Sequence, residues 1–167
     1  MNNLDTIAEY IAVSYRKNNK VLAFGNGGLC SESEHFAAEL MGKFAFDIKI
    51  PCLSLTCNTS LLTALANDYG YENVFSEQIK VLGDMGDVCI GMTTSKSENI
   101  IRALWAAKNR GLATIVLCGN KYTDFRDADY KVILKGSDTA KIQNEAIKYL
   151  HKYISIEHNF IKILTLS

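Results

Sequence analysis

The sequence predicts an α/β fold, a three-layer sandwich with a five-stranded parallel sheet between helices. Three observations carry it: short apolar runs, amphipathic helical patterns between them, and polar turns rich in Gly, Asn, Ser and Thr directly after several runs. Strands covered by helices on both faces are buried on both. They read as continuous apolar runs, as Val88-Cys89-Ile90-Gly91-Met92 and Thr114-Ile115-Val116-Leu117 do. The chain has 167 residues, 48% of them hydrophobic, and no linker-like shift in composition, so a single domain over residues 1–167 is expected.

Leu4, Ile7, Ala8, Ile11, Ala12 and Tyr15 recur at helical spacing and predict a helix over 4–18, feeding a strand over 20–24. Further strands are expected over 50–55, 87–93, 113–118 and 130–134, with helices over 31–45, 59–66, 72–82 and 98–110. A last helix runs from about 138 to 164. It is apolar around much of its circumference, through Ile142, Ala146, Ile147, Leu150, Ile154, Phe160, Ile161 and Leu164. A helix of that kind is buried on several sides, which here predicts packing against a second copy of the chain, hence a homo-oligomer.

Eighteen basic and eighteen acidic residues balance, and no Lys/Arg cluster interleaved with aromatics exists, which argues against a nucleic-acid surface. No apolar run approaches the ~20 residues needed to span a bilayer, and the opening Met1–Asp5 is unlike a secretory leader, so no membrane partner is expected. The five cysteines form no CxxC pair and lie mostly in apolar runs. That pattern fits buried thiols in a reducing compartment and predicts a cytoplasmic location.

In parallel sheets, ligands collect beyond the carboxyl ends of the strands. The sequence there supplies Gly25-Asn26-Gly27-Gly28, Asn58-Thr59-Ser60 and Thr93-Thr94-Ser95-Lys96-Ser97. A Gly-rich turn into a helix lets backbone N–H groups approach an anion closely, and the helix N-terminus adds partial positive charge. Hydroxyls at a helix start suit phosphate as well, although Ser and Thr there also serve as ordinary N-caps. The Gly25–Gly28 turn is neither GxGxxG nor a P-loop, which disfavours a nucleotide. A phosphorylated small molecule fits better.

Ser31 and Glu34 have capping-box spacing and would start the following helix at Ser31. His35 and Glu39, four apart on that helix, share a face, as do Gln143 and His151, eight apart on the last helix. Where the two helices meet, these four could surround a divalent metal such as Zn²⁺, with an amide oxygen as an unusual ligand; metal-free acid–base work by Glu39 and His151 is the alternative. His158 reads as an ordinary surface residue. Asn67-Asp68-Tyr69-Gly70 reads as a helix end with a left-handed glycine cap.

Gly25-Asn26-Gly27-Gly28, His35-Phe36-Ala37-Ala38-Glu39-Leu40, Ala66-Asn67-Asp68-Tyr69-Gly70-Tyr71-Glu72, Val74-Phe75-Ser76, Gly86-Asp87-Val88, Thr94-Ser95 and Ile142-Gln143 together resemble the phosphoheptose isomerases of the sugar isomerase (SIS) domain group. The resemblance runs from about Lys20 to His151. It implies a flavodoxin-like SIS fold and interconversion of sedoheptulose 7-phosphate and D-glycero-D-manno-heptose 7-phosphate through an enediol, towards bacterial surface heptoses. It also implies a homotetramer with sites between subunits and one Zn²⁺ per subunit. By the same resemblance Glu39 and His151 are the catalytic pair, and His35, Glu39, Gln143 and His151 the metal set. The substrate-facing set it implies is Asn26, Gly27, Gly28, Asn58, Asn67, Asp68, Thr93, Thr94, Ser95, Ser97 and Gln143. Leu29 stands where the family usually has Ser, the 93–97 loop is one residue short, and Asn58 and Ala140 replace common Asp residues. These departures keep two other readings open: the same chemistry on a different phosphosugar, and a non-catalytic SIS-domain regulator that binds a sugar phosphate or a protein.

Overall fold

Alternation within each strand divides the interior into two cores. In β1 (Val21–Gly25), Val21 and Ala23 join one cluster while Leu22 and Phe24 join the other. In β3 (Val88–Thr93) and β4 (Ala113–Gly119), Ile90, Met92, Ile115 and Leu117 face the first core, and Cys89, Val116 and Cys118 the second. Successive side chains of a strand point to opposite faces, so a fully buried sheet needs a helical layer on each side.

The computed structural model describes residues 3–42 and 49–154. Its five strands, with β2 at Cys52–Ser54 and β5 at Tyr130–Leu134, form one parallel sheet in the order β2-β1-β3-β4-β5. This is a flavodoxin-like order, in keeping with the fold that the resemblance implies, and its switch point lies between β1 and β3. Helices α1 (Asn3–Arg16), α2 (Gly28–Met41) and α6 (Thr139–Ile154) cover one face. Helices α4 (Val74–Leu82) and α5 (Glu98–Asn109) cover the other, with α3 (Thr59–Tyr69) beside them. Phe24 and Phe75 join sheet to α4, their ring centroids 4.9 Å apart. Among the described residues no helix is long and apolar enough to cross a membrane.

Several element ends differ from expectation. The helix predicted from Ser31 starts at Gly28 and ends at Met41; residues 43–45 of the predicted span lie outside the described residues. The single helix expected over 72–82 is a 3₁₀ turn, Tyr71–Asn73, followed by α4. Gly70 has the positive φ of a glycine cap, but its ψ of 148° is extended rather than left-handed helical, because the chain turns at once into the 3₁₀ segment. The expected final-helix residues Phe160, Ile161 and Leu164, with His158, lie outside the described residues.

At the amino end of the sheet, Asp87 joins the entries to β1 and β3. It accepts from the backbone N–H of Lys20 (2.9 Å) and Asp84 (2.8 Å) and from Asn19 Nδ2 (3.2 Å), and it pairs with Lys20 Nζ at 2.7 Å. The carboxyl end carries the predicted polar loops.

Candidate active site

The chain leaves β1 at Gly25 and enters α2 within three residues. Gly27 makes this possible with φ 59°, a conformation L side chains rarely adopt. The helix therefore begins before Ser31, and no side chain caps it. This overturns the capping box. Ser31 lies inside the helix, and Glu34 instead accepts from Thr56 Oγ1 at 2.8 Å, in a polar cluster where Ser33 meets Ser54 (2.8 Å) and Ser54 meets Thr56 (2.7 Å). That cluster fixes α2 to β2. His35 accordingly sits two turns into the helix rather than one.

Near the other end of α2, three groups meet. Glu39 Oε1 lies 2.9 Å from His35 Nε2 and 3.1 Å from His151 Nε2, and one ligand atom from each of the three residues falls within 4.8 Å of the others. The imidazoles are 5.2 Å apart, edge to face. The Glu39 side chain is 7% exposed against 46% for His35 and 41% for His151, so the carboxylate is the floor and the rings the rim. Glu39 Oε2 is buried with no hydrogen-bond partner among the described residues. A buried carboxylate oxygen without a donor is costly unless another group completes it, and His, Glu and His are donors that suit a divalent ion. The residues fit a metal. Glu32, one turn from His35, also feels the cluster: burial and the Glu39 charge raise its pKa above 4.5, while His35 and His151 act in the opposite direction.

Gln143 lies near the start of α6 and touches the start of α2. A Cβ at Gly28 would fall 2.6 Å from the Gln143 amide, so glycine is what admits this approach. Eight residues, about 12 Å of helix rise, separate Gln143 from His151. The amide is therefore beside the Gly27–Gly28 turn, whereas the other three predicted metal ligands gather further along the helix pair.

Across the switch point, Asn26 forms a reciprocal amide pair with Asn99, 2.9 Å in each direction, and its Oδ1 also accepts from Tyr71 at 3.0 Å. The hydroxyl loop after β3 is folded on itself: Thr93 Oγ1 donates to the Ser95 carbonyl (2.7 Å) and lies 3.0 Å from Ser97 Oγ, which is 3.3 Å from Ser95 Oγ. Thr93 is buried, Thr94 and Ser97 are half-buried and Ser95 is exposed. Asn58 Oδ1 accepts from Leu61 N–H at 3.0 Å and so caps α3, while Asn67 donates to Asp68 at 2.8 Å at the exposed far end of that helix. Leu29 is buried in the first core, so its side chain does not face the turn's open side.

Asn99 and Tyr71 were not singled out by the sequence. An Asn one helical turn before Ala103 and two before Ala107, both core residues, breaks the apolar face of α5, and that break was the available signal for Asn99. Tyr71 lies within the Ala66–Glu72 run that carries the resemblance, but nothing in that run points to Asn26, 45 residues away.

A SIS domain family model matches residues 1–119. A phosphoheptose isomerase of Sulfurimonas denitrificans is 40% identical over 154 residues, 90% of this chain and 79% of that protein. One from Aquifex aeolicus is 44% identical over 140 residues, 82% of this chain and 73% of its own length. The solved structure of a phosphoheptose isomerase from Neisseria gonorrhoeae superposes with a TM-score of 0.82 at 34% identity, covering 91% of this chain and 83% of that one.

Proposed function

The chain belongs to the SIS domain family and, within it, to the phosphoheptose isomerases, and from that premise we propose that it interconverts sedoheptulose 7-phosphate and D-glycero-D-manno-heptose 7-phosphate. It is a sugar-phosphate aldose–ketose isomerase. The observation that carries the reading is the Glu39 carboxylate, buried beneath two imidazoles with one oxygen unpartnered.

Aldose–ketose exchange moves a proton between adjacent carbons through an enediol, which needs a base at carbon and a proton shuttle at oxygen. The Glu39 carboxylate takes the proton from the carbon beside the carbonyl and returns it to the neighbouring carbon. His151, half-exposed at the rim and 3.1 Å from Glu39 Oε1, moves a proton to or from the sugar oxygen. His35 holds the same Oε1 at 2.9 Å and fixes the carboxylate's orientation. A Zn²⁺ held by His35, Glu39 and His151 would supply Lewis-acid polarisation of the carbonyl. Gln143, the fourth member of the implied metal set, we assign to the sugar, a reading supported by its amide lying against Gly28. We assign the phosphate to Ser95, Ser97 and the Thr93–Thr94 backbone, and the sugar to Asn26, Gly27 and Gly28. Asn58, Asn67 and Asp68 are proposed at the outer edge of the substrate. The enzyme acts as a homotetramer in the cytoplasm, in the synthesis of surface heptoses.

An NMR time course of purified protein with sedoheptulose 7-phosphate tests this. Wild type should form the aldoheptose phosphate, and Glu39→Gln should be slower by at least ~100-fold with the fold retained. No turnover by wild type would remove the substrate assignment, and an active Glu39→Gln would remove the base.

A further inference from the structure

Asn26 occupies the first position after β1, at the switch point where a sugar phosphate would lie. Its carboxamide is held from two sides. Asn99, 3% exposed in the first turn of α5, exchanges a hydrogen bond in each direction with it, and the Tyr71 hydroxyl donates to the same Oδ1. An amide oxygen has two lone pairs and an amide nitrogen two hydrogens. Both acceptor positions of Asn26 are thus filled inside the protein, and one of its two N–H donors is used on Asn99. One N–H remains.

We propose that Asn99 and Tyr71 are positioning residues that clamp the Asn26 carboxamide, so that it meets the substrate only as a single hydrogen-bond donor to an acceptor oxygen of the sugar phosphate. The proposal rests on the isomerase reading for its substrate. The clamp itself stands on geometry. Its two arms come from different elements: Asn99 from α5, which follows the hydroxyl loop, and Tyr71 from the 3₁₀ turn after α3. Arg102 braces these elements together, donating to Glu98 at 3.0 Å and to Asn73 at 3.0 Å. A polar side chain buried as deeply as Asn99, on the face of α5 that otherwise packs Ile100, Ala103 and Ala107, is expensive unless it is hydrogen-bonded, and Asn26 supplies both a donor and an acceptor to it. Tyr71, by contrast, is 58% exposed, so its ring contributes little packing and its hydroxyl is the informative part.

A double-mutant cycle with an amide spectrum tests the clamp. Asn26→Ala and Asn99→Ala should each lower kcat/KM by about tenfold or more, as expected when a substrate-orienting group is lost or displaced. Asn26→Ala/Asn99→Ala should be no worse than Asn26→Ala alone. Additive losses would overturn the proposal, because Asn99 would then act by another route. Tyr71→Phe should leave the thermal midpoint unchanged, lower kcat/KM several-fold and shift the Asn26 side-chain NH₂ signals in a ¹⁵N–¹H spectrum, assigned by their loss in Asn26→Asp. Unmoved NH₂ signals in Tyr71→Phe would sink the clamp even if Asn99→Ala fails to fold. The spectrum needs no turnover. A wild type inactive on sedoheptulose 7-phosphate with shifted signals would therefore dispose of the substrate and leave the clamp standing.

Discussion

Two imidazole nitrogens contact the same oxygen of Glu39, and the other oxygen is buried without a donor. The carboxylate is thus anchored through one oxygen, and the other is left for a further partner. His35 is the more exposed of the two histidines, and the proposed mechanism gives it no proton to move to the sugar. His35→Ala should therefore weaken Zn²⁺ by about 10-fold or more in competition with a chelator and reduce bound zinc measured by elemental analysis, while leaving the fold intact. Zinc bound as tightly by the variant as by wild type would remove His35 from the ligand set. The pairing of His35 with Glu39 was legible in the sequence, since four residues on a helix place two side chains on one face. The carboxylate oxygen that both histidines share was not, because it depends on how α6 packs on α2. The same holds for Gln143: its spacing to His151 suggested one ligand set, but the close approach at Gly28 decides where its amide rests.

The strands and helices were legible because both periodicities are strong in this chain, and the errors cluster where a local motif competes with a backbone constraint. Ser31 and Glu34 have the spacing of a capping box, yet the positive φ of Gly27 starts α2 earlier and leaves Glu34 to Thr56. Asp87 was visible only as part of a Gly-Asp-Val string, although it holds the entries to two central strands. Burial acts to raise its pKa, but hydrogen bonds from Lys20, Asp84 and Asn19 outweigh burial and hold it below the ordinary 3.8. The folded pKa is thus lower than the unfolded one. Its stabilisation is complete above the ordinary carboxylate range and is lost as pH falls through the depressed folded value. Asp87→Asn should cost roughly 1.5–3 kcal/mol at neutral pH, the range for hydrogen bonds to a charged group. In urea unfolding at pH 7 and at pH 3, the gap between variant and wild type should narrow at the lower pH. A gap independent of pH would mean that the Asp87 charge contributes nothing to holding β1 against β3.

At the scale of the whole molecule, the His35, Glu39 and His151 cluster is assembled within one chain, but a neighbouring element is not finished by it. Helix α3 is rich in Leu and Ala, yet it has no buried residue; Leu61 is exposed, and Tyr69 and Tyr71 at and beyond its end are exposed too. Helices in water derive most of their stability from packing an apolar face. A second copy of the chain is the occupant that the proposed tetramer supplies. No pattern within one chain states which copy covers which face, so the sequence could suggest self-association from the last helix but not the role of α3. Light scattering should give about four times the 18.5 kDa chain mass. Leu61→Glu, which places a charge on the uncovered face, should yield a smaller species. If dissociation abolishes turnover while bound zinc is retained, the subunits complete the sugar-binding rim and the metal site belongs to each chain alone. A wild type that scatters as a monomer would refute the tetramer and leave α3 an exposed edge of a self-sufficient enzyme.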